Sequence, residues 1–181
     1  MVQIKQTQIN LTIVRFPRKL ESTDACEAVR RTLLARIVKI RPDSNFDIPR
    51  IELEKPLEDA LRKSRLRGQI CCGFDDIADK LENERIGIIS TRRRTDAPFG
   101  NRISRLLLFS NDGAERLYRH IEEILKIHSP RILGCLLNID SAALGGLINR
   151  RESKIKIVMA DHKDAVCEIL RAIAASNAAA Q

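Results

Sequence analysis

Aromatic side chains are scarce in this sequence, at 3% of 181 residues with no Trp and a single Tyr, Tyr118. That shortage argues against a nucleic-acid module that stacks bases on aromatic rings. Any contact with nucleic acid falls to charge and polar groups. Metal and nucleophile patterns are missing as well. His120, His128 and His162 have no metal-ligand spacing to Cys or carboxylates, and His162 and Cys167, five positions apart, match no catalytic motif. Leu144-Gly145-Gly146-Leu147 lacks the spacing and the lysine of a phosphate-binding loop. No enzyme and no cofactor is expected. The five cysteines, an odd set without a CxxC pair, fall largely in apolar runs, as reduced core cysteines of an intracellular protein do. Apolar runs stay far below membrane-spanning length and no signal-peptide pattern is present, so a soluble nuclear or cytoplasmic protein is expected, with no membrane partner.

Positive charge is what the sequence has in excess. The formal net charge is +8, from 32 Lys and Arg against 24 Asp and Glu. Nine of those basic residues and three of the acidic ones lie in residues 1–41, which therefore carry +6 and leave the other 140 residues close to neutral. Such localised basicity points to an anionic partner, either RNA or a phosphate-rich surface.

Residues 7–16 alternate polar and apolar through Ile9, Leu11 and Ile13, the period of a half-buried strand, which Pro17 closes. Ala25, Val29, Leu33, Ile37 and Ile40 then recur at helical spacing behind a Ser22 or Thr23 cap, with Arg30, Arg31, Arg36 and Lys39 on the other face. Residues 41–55, which hold Pro42 and Pro49, read as a loop. Residues 56–81 read as helix, tight turn, helix. Pro56 opens the first helix, Leu57, Ala60, Leu61 and Ser64 line its inner face, and Gly68 ends it. Gly73 precedes a second helix that Asp75 caps, with Ile77, Ala78 and Leu81 turned inward.

Residues 86–90 and 103–109 are strand candidates on either side of a loop whose consecutive Arg92, Arg93 and Arg94 can splay toward phosphates. A helix over 114–125 follows, then the apolar strand RILGCLLNI, a short helix opened by Asp140-Ser141, and a polar loop over 149–153. The strand KIKIVMAD and a helix from His162 or Lys163 through Ile173 complete the pattern. Alternating strands and helices define an α/β fold, a three-layer α/β/α sandwich with a mixed sheet. Residues 1–54 form a basic N-terminal strand-helix extension to it.

The pattern Leu57-x-x-Ala60-Leu61, Gly68-x-x-x-x-Gly73, an acidic pair and Lys80-Leu81-Glu82 resembles the opening of the L-seven-Ae ribosomal protein superfamily. The later order of helix, buried strand, Ser-x-x-Leu-Gly helix start, strand and helix is similar to that superfamily's second half. The resemblance spans about two thirds of the chain and implies an L-seven-Ae-like domain over 55–181. The superfamily includes kink-turn RNA binders, protein subunits of ribonuclease P/MRP and the growth-arrest Gadd proteins. It implies a non-catalytic, RNA-binding subunit of a ribonucleoprotein such as ribonuclease P/MRP, hence a role in tRNA processing, with structured RNA and other subunits as partners.

In kink-turn binders the second glycine precedes an Asn-Glu pair and then a Lys one turn on. Here Asp75, Asp76 and Asp79 stand at those positions, with Lys80 one residue later. Carboxylates repel phosphate, so RNA contacts implied at Gly73, Asp75, Asp76 and Lys80 shift outward to Arg62, Arg65, Arg67, Arg92, Arg93 and Arg94. The second family contact falls on the polar loop, where Arg150 and Arg151 are placed to clamp phosphates. The Gadd branch implies a different role, a protein-interaction module that forms a homodimer or docks a protein partner. That branch is acidic, and the charge of +8 sets this chain apart from it.

Overall fold

A computed structural model of the chain describes residues 14–95, 101–149 and 153–178. Its elements, in order, are α1 (Arg18–Glu21), α2 (Ala25–Ala35), β1 (Ile37–Lys39), β2 (Asp47–Ile51), α3 (Lys55–Leu66), β3 (Ile70–Cys72) and α4 (Phe74–Arg94). They continue with β4 (Arg105–Phe109), α5 (Glu115–Ile127), β5 (Ile132–Leu137), α6 (Ser141–Ile148), β6 (Ile157–Ala160) and α7 (Lys163–Ala178). The strands form one mixed sheet in the order β1-β2-β5-β4-β6-β3. β2, β5 and β4 run parallel, while β1, β6 and β3 join antiparallel.

Alternation along the central strands sorts their side chains to two faces. Leu106, Leu108, Leu133, Cys135, Leu137 and Val158 meet α2, α3, α6 and α7 on one face. Leu107, Phe109, Ile132, Ile157 and Met159 meet α4 and α5 on the other. The fold is therefore the three-layer α/β/α sandwich with a mixed sheet. Among the described residues no helix is long and apolar enough to cross a membrane.

Several local expectations change. Of the strand expected over 7–16, residues 7–13 lie outside the described residues, and Arg15 forms an isolated parallel bridge to Arg102. The helix expected to reach Ile40 stops at Ala35, because the β-branched run Ile37-Val38 pairs with β2 instead. β2 itself lies in what reads as a proline-containing loop. Proline argues against an interior strand, but β5 pairs only with Arg50 and Ile51, beyond Pro49. With Phe16, Leu20, Val29 and Leu33 fully buried, residues 14–54 supply two strands of the sheet and part of the core.

The largest difference lies in α4. Residues 86–90, expected as a strand, continue the helix, and Arg92, Arg93 and Arg94 form its last turn instead of a loop. A run of isoleucines reads as β, yet Glu82 with Arg85 and Thr91 with the Gly87 carbonyl supply helical side-chain contacts through it. Nor does Asp75 cap this helix. Gly73 takes that position with φ 92°, in the left-handed half of backbone space that suits glycine, and Asp75 and Asp76 follow in the first turn.

Candidate nucleic-acid interface

Expected contact residues fall into separate groups. Arg62, Arg65 and Arg67 lie exposed along the C-terminal half of α3. Arg65 donates to Asn149 at 3.4 Å, and Arg67 pairs with Glu168 of α7 at 2.9 Å. Gly73, Asp75 and Asp76 sit at the start of α4, and Lys80, one turn on, is committed to Asp161. Hydrogen bonding to Asp161 raises the Lys80 pKa, so this ammonium is held charged by a protein carboxylate. Arg92, Arg93 and Arg94 are at the far end of the same helix, about 27 Å away at 1.5 Å per residue. Arg150 and Arg151 lie outside the described residues.

A second basic site assembles from residues that lie far apart in the chain. The amino ends of β4 and β5 lie side by side, the carboxyl end of β6 runs antiparallel beside them, and α1 and α7 start nearby. Together they border a cleft of about 910 Å³ lined by Arg18, Lys19, Arg102, Arg105, Arg131 and Lys163, with Asp161 and Asp164 as its carboxylates. Both carboxylates are occupied, Asp161 by Lys80 and Asp164 by Lys19. Arg102 is held by Glu21 and donates to the Phe16 carbonyl at 2.9 Å, while Arg105 pairs with Glu84 at 2.7 Å.

Arg131 differs from these neighbours. It donates to Ser104 Oγ at 3.2 Å and forms no ion pair among the described residues. Burial pulls its pKa below the ordinary value, and the guanidiniums of Arg105 and Arg92 add to that against the pull of Glu84. A half-buried cation repelled by two others is a group that an incoming anion relieves. Of the described contact residues expected from sequence, none lines this cleft, and Arg92 alone among them acts electrostatically on Arg131. Arg105 and Arg131 each stand immediately before an apolar strand run, and that shared position is the signal that brings them together once β4 and β5 pair in parallel.

The opposite end of the sheet, at the carboxyl ends of the parallel strands, is where open α/β sheets commonly hold ligands. Here it is tied shut by its own side chains. Asp112 accepts from Ser110 Oγ at 2.7 Å, Ser141 Oγ at 2.6 Å and the Ser141 amide at 2.9 Å. Burial pushes the Asp112 carboxyl up, but these hydrogen bonds overcome it and lower the pKa to about 2. Because the folded value lies below the ordinary 3.8, Asp112 stabilises the fold above that pH and loses its contribution as pH falls toward 2. Asp112→Asn is expected to lower stability by about 1 kcal/mol at neutral pH. Urea titrations at several acidic pH values should show a flatter acid limb for the variant.

Among the described residues no cluster of His, Cys, Asp or Glu could hold a metal ion. Fold and cleft together define an α/β/α sandwich with a basic cleft at the amino ends of β4 and β5. No protein-family model matches the chain, and no curated protein sequence matches it significantly.

Proposed function

We propose that the chain is a non-catalytic RNA-binding protein, a subunit of a ribonucleoprotein of the ribonuclease P/MRP kind, that seats backbone phosphates in the basic cleft. Arg131 carries this reading. It is half-buried and forms no ion pair among the described residues; burial disfavours its charge most, and the attraction of Glu84 is opposed by Arg105 and Arg92. Within the protein its guanidinium has one hydroxyl bond and no carboxylate at ion-pair distance among the described residues, whereas a phosphate accepts from guanidinium forks with strong geometry. The start of α7, where Lys163 opens the helix beside the cleft, adds backbone N–H groups that favour negative charge. The sequence likeness to the L-seven-Ae superfamily supports RNA as the source of the phosphate.

Filter-binding titrations against a structured RNA over a range of salt test the proposal. Affinity should fall steeply with salt, and Arg131→Ala should weaken binding about tenfold while reducing the salt slope by about one. The same variant should keep or raise the melting temperature, since it removes a charge whose burial is unfavourable. Absence of binding at low salt, or an Arg131→Ala protein that binds as the parent does, would overturn the reading. The alternative role, a protein-interaction module, is supported by the exposed Ile86 and Ile89 of α4.

A further inference from the structure

Beyond Leu81, α4 has no buried residue, and its outer half stands clear of the core. One stripe along this helix, at alternating spacings of four and three, reads Asp75, Asp79, Glu82, Ile86, Ile89, Arg93. Ile86 is 54% exposed and Ile89 36%, two apolar side chains left neighbouring each other on the solvent side of the helix. Acids precede the isoleucines and a base follows them. At about 100° per residue the stripe lies about 150° around the helix from the face that carries Ile77, Leu81 and Glu84. It is therefore separate from the cleft.

The geometry points to a second copy of this chain as the occupant, with two α4 helices crossing antiparallel over the isoleucines. A two-fold axis requires each residue i to meet residue j while j meets i. Centred between Gly87 and Ile88, an antiparallel pair sets Ile86 on the partner's Ile89 and Glu82 on the partner's Arg93, each contact occurring twice. The stripe is thus complementary to itself in both apolar and charged positions, whereas a parallel pair would stack Arg93 on Arg93. Glu82 already pairs with Arg85 of its own helix at 2.7 Å, and Arg93 forms no ion pair among the described residues. Two or three turns on each side make a small interface, so the dimer is a weak one, with a dissociation constant in the micromolar range.

Sedimentation velocity of the full chain at low salt tests this, with one variant fluorescently labelled. The parent protein should pass reversibly from 20.5 kDa to twice that mass as concentration rises. Glu82→Arg sets two arginines together and Arg93→Glu sets two glutamates together, so each variant alone should self-associate about tenfold more weakly. Mixing the two variants should restore association, because both contacts of the mixed pair are again opposite in charge. Circular dichroism identifies any variant that fails to fold, and Ile86→Glu, which removes the apolar centre, then provides a second disruption. A parent that stays monomeric at every concentration, including hundreds of micromolar, would overturn the proposal and leave the stripe to a different protein. So would a dimer that the single reversals leave intact or that mixing does not recover.

Discussion

Gly145→Ala is expected to destabilise the fold by roughly 3 kcal/mol or more, beyond the usual range for adding one methyl group to a core. The reason is steric and local. Gly145 is buried in α6 where the chain passes directly over it on the way to β6, and a Cβ there would lie 1.5 Å from the Ser153 carbonyl oxygen and 2.7 Å from its carbon. Backbone cannot rotate out of the way as a side chain can. The Ile155 amide donates to the Ser141 carbonyl at 3.0 Å, which pins the overlying segment to the first turn of the same helix. Gly146, the next residue, supplies the control. It is exposed and has nothing within 4 Å of its would-be Cβ, so Gly146→Ala should raise stability by up to about 1 kcal/mol through helix propensity and the unfolded chain. Urea midpoints for the two variants should move in opposite directions.

Glu122→Ala is expected to cost about 3 kcal/mol by leaving a cation without its main partner. Glu122 is only 6% exposed, and it joins α5 to the loop between β1 and β2. Its carboxylate accepts from Ser44 Oγ at 2.9 Å, Arg41 Nη2 at 3.2 Å and Lys126 Nζ at 2.6 Å. The Arg41 side chain is 12% exposed, so water cannot replace the lost carboxylate, although Asp43 at 2.9 Å remains to it. Lys126 is half exposed and loses little. Burial pushes the Glu122 carboxyl up, and the hydrogen bonds from Lys126, Ser44 and Arg41 hold it below its ordinary 4.5. A depressed carboxyl stabilises the fold above its unfolded value and stops doing so as pH falls through the folded one. The parent should therefore lose stability on acidification below about pH 4.5, and Glu122→Gln should show a weaker loss over that interval. Equal acid sensitivity in parent and variant would refute this assignment.

Where sequence reasoning succeeds and fails follows from how many residues each element uses to declare itself. β4, β5 and β6 carry unbroken apolar runs because helices cover both faces, and they are legible for that reason. α3, α5 and α7 show an apolar stripe over several turns. β1 has three residues and β2 contains a proline, too little pattern to separate either from a turn. Ile86, Ile88 and Ile89 resemble a strand because periodicity is ambiguous over five residues, and only Ile88 keeps the helical register of the preceding Ile77 and Leu81. Candidate contacts follow the same rule. Arg92, Arg93 and Arg94 are adjacent and easily noticed. Arg131 and Arg105 are distant in the chain, and only the parallel pairing of β4 with β5 makes them neighbours.

The sheet ends at both sides in strands of three residues, β1 and β3. A three-residue border offers few free N–H and C=O groups to template another strand, and at one side the chain turns from β3 directly into α4. Growth of the sheet from molecule to molecule is therefore poorly supported, even though its interior strands are among the most apolar segments of the chain. Contact between copies through the sheet is thus confined to the few unpaired backbone groups of two short border strands, and helix faces and side-chain charge make up most of the remaining surface.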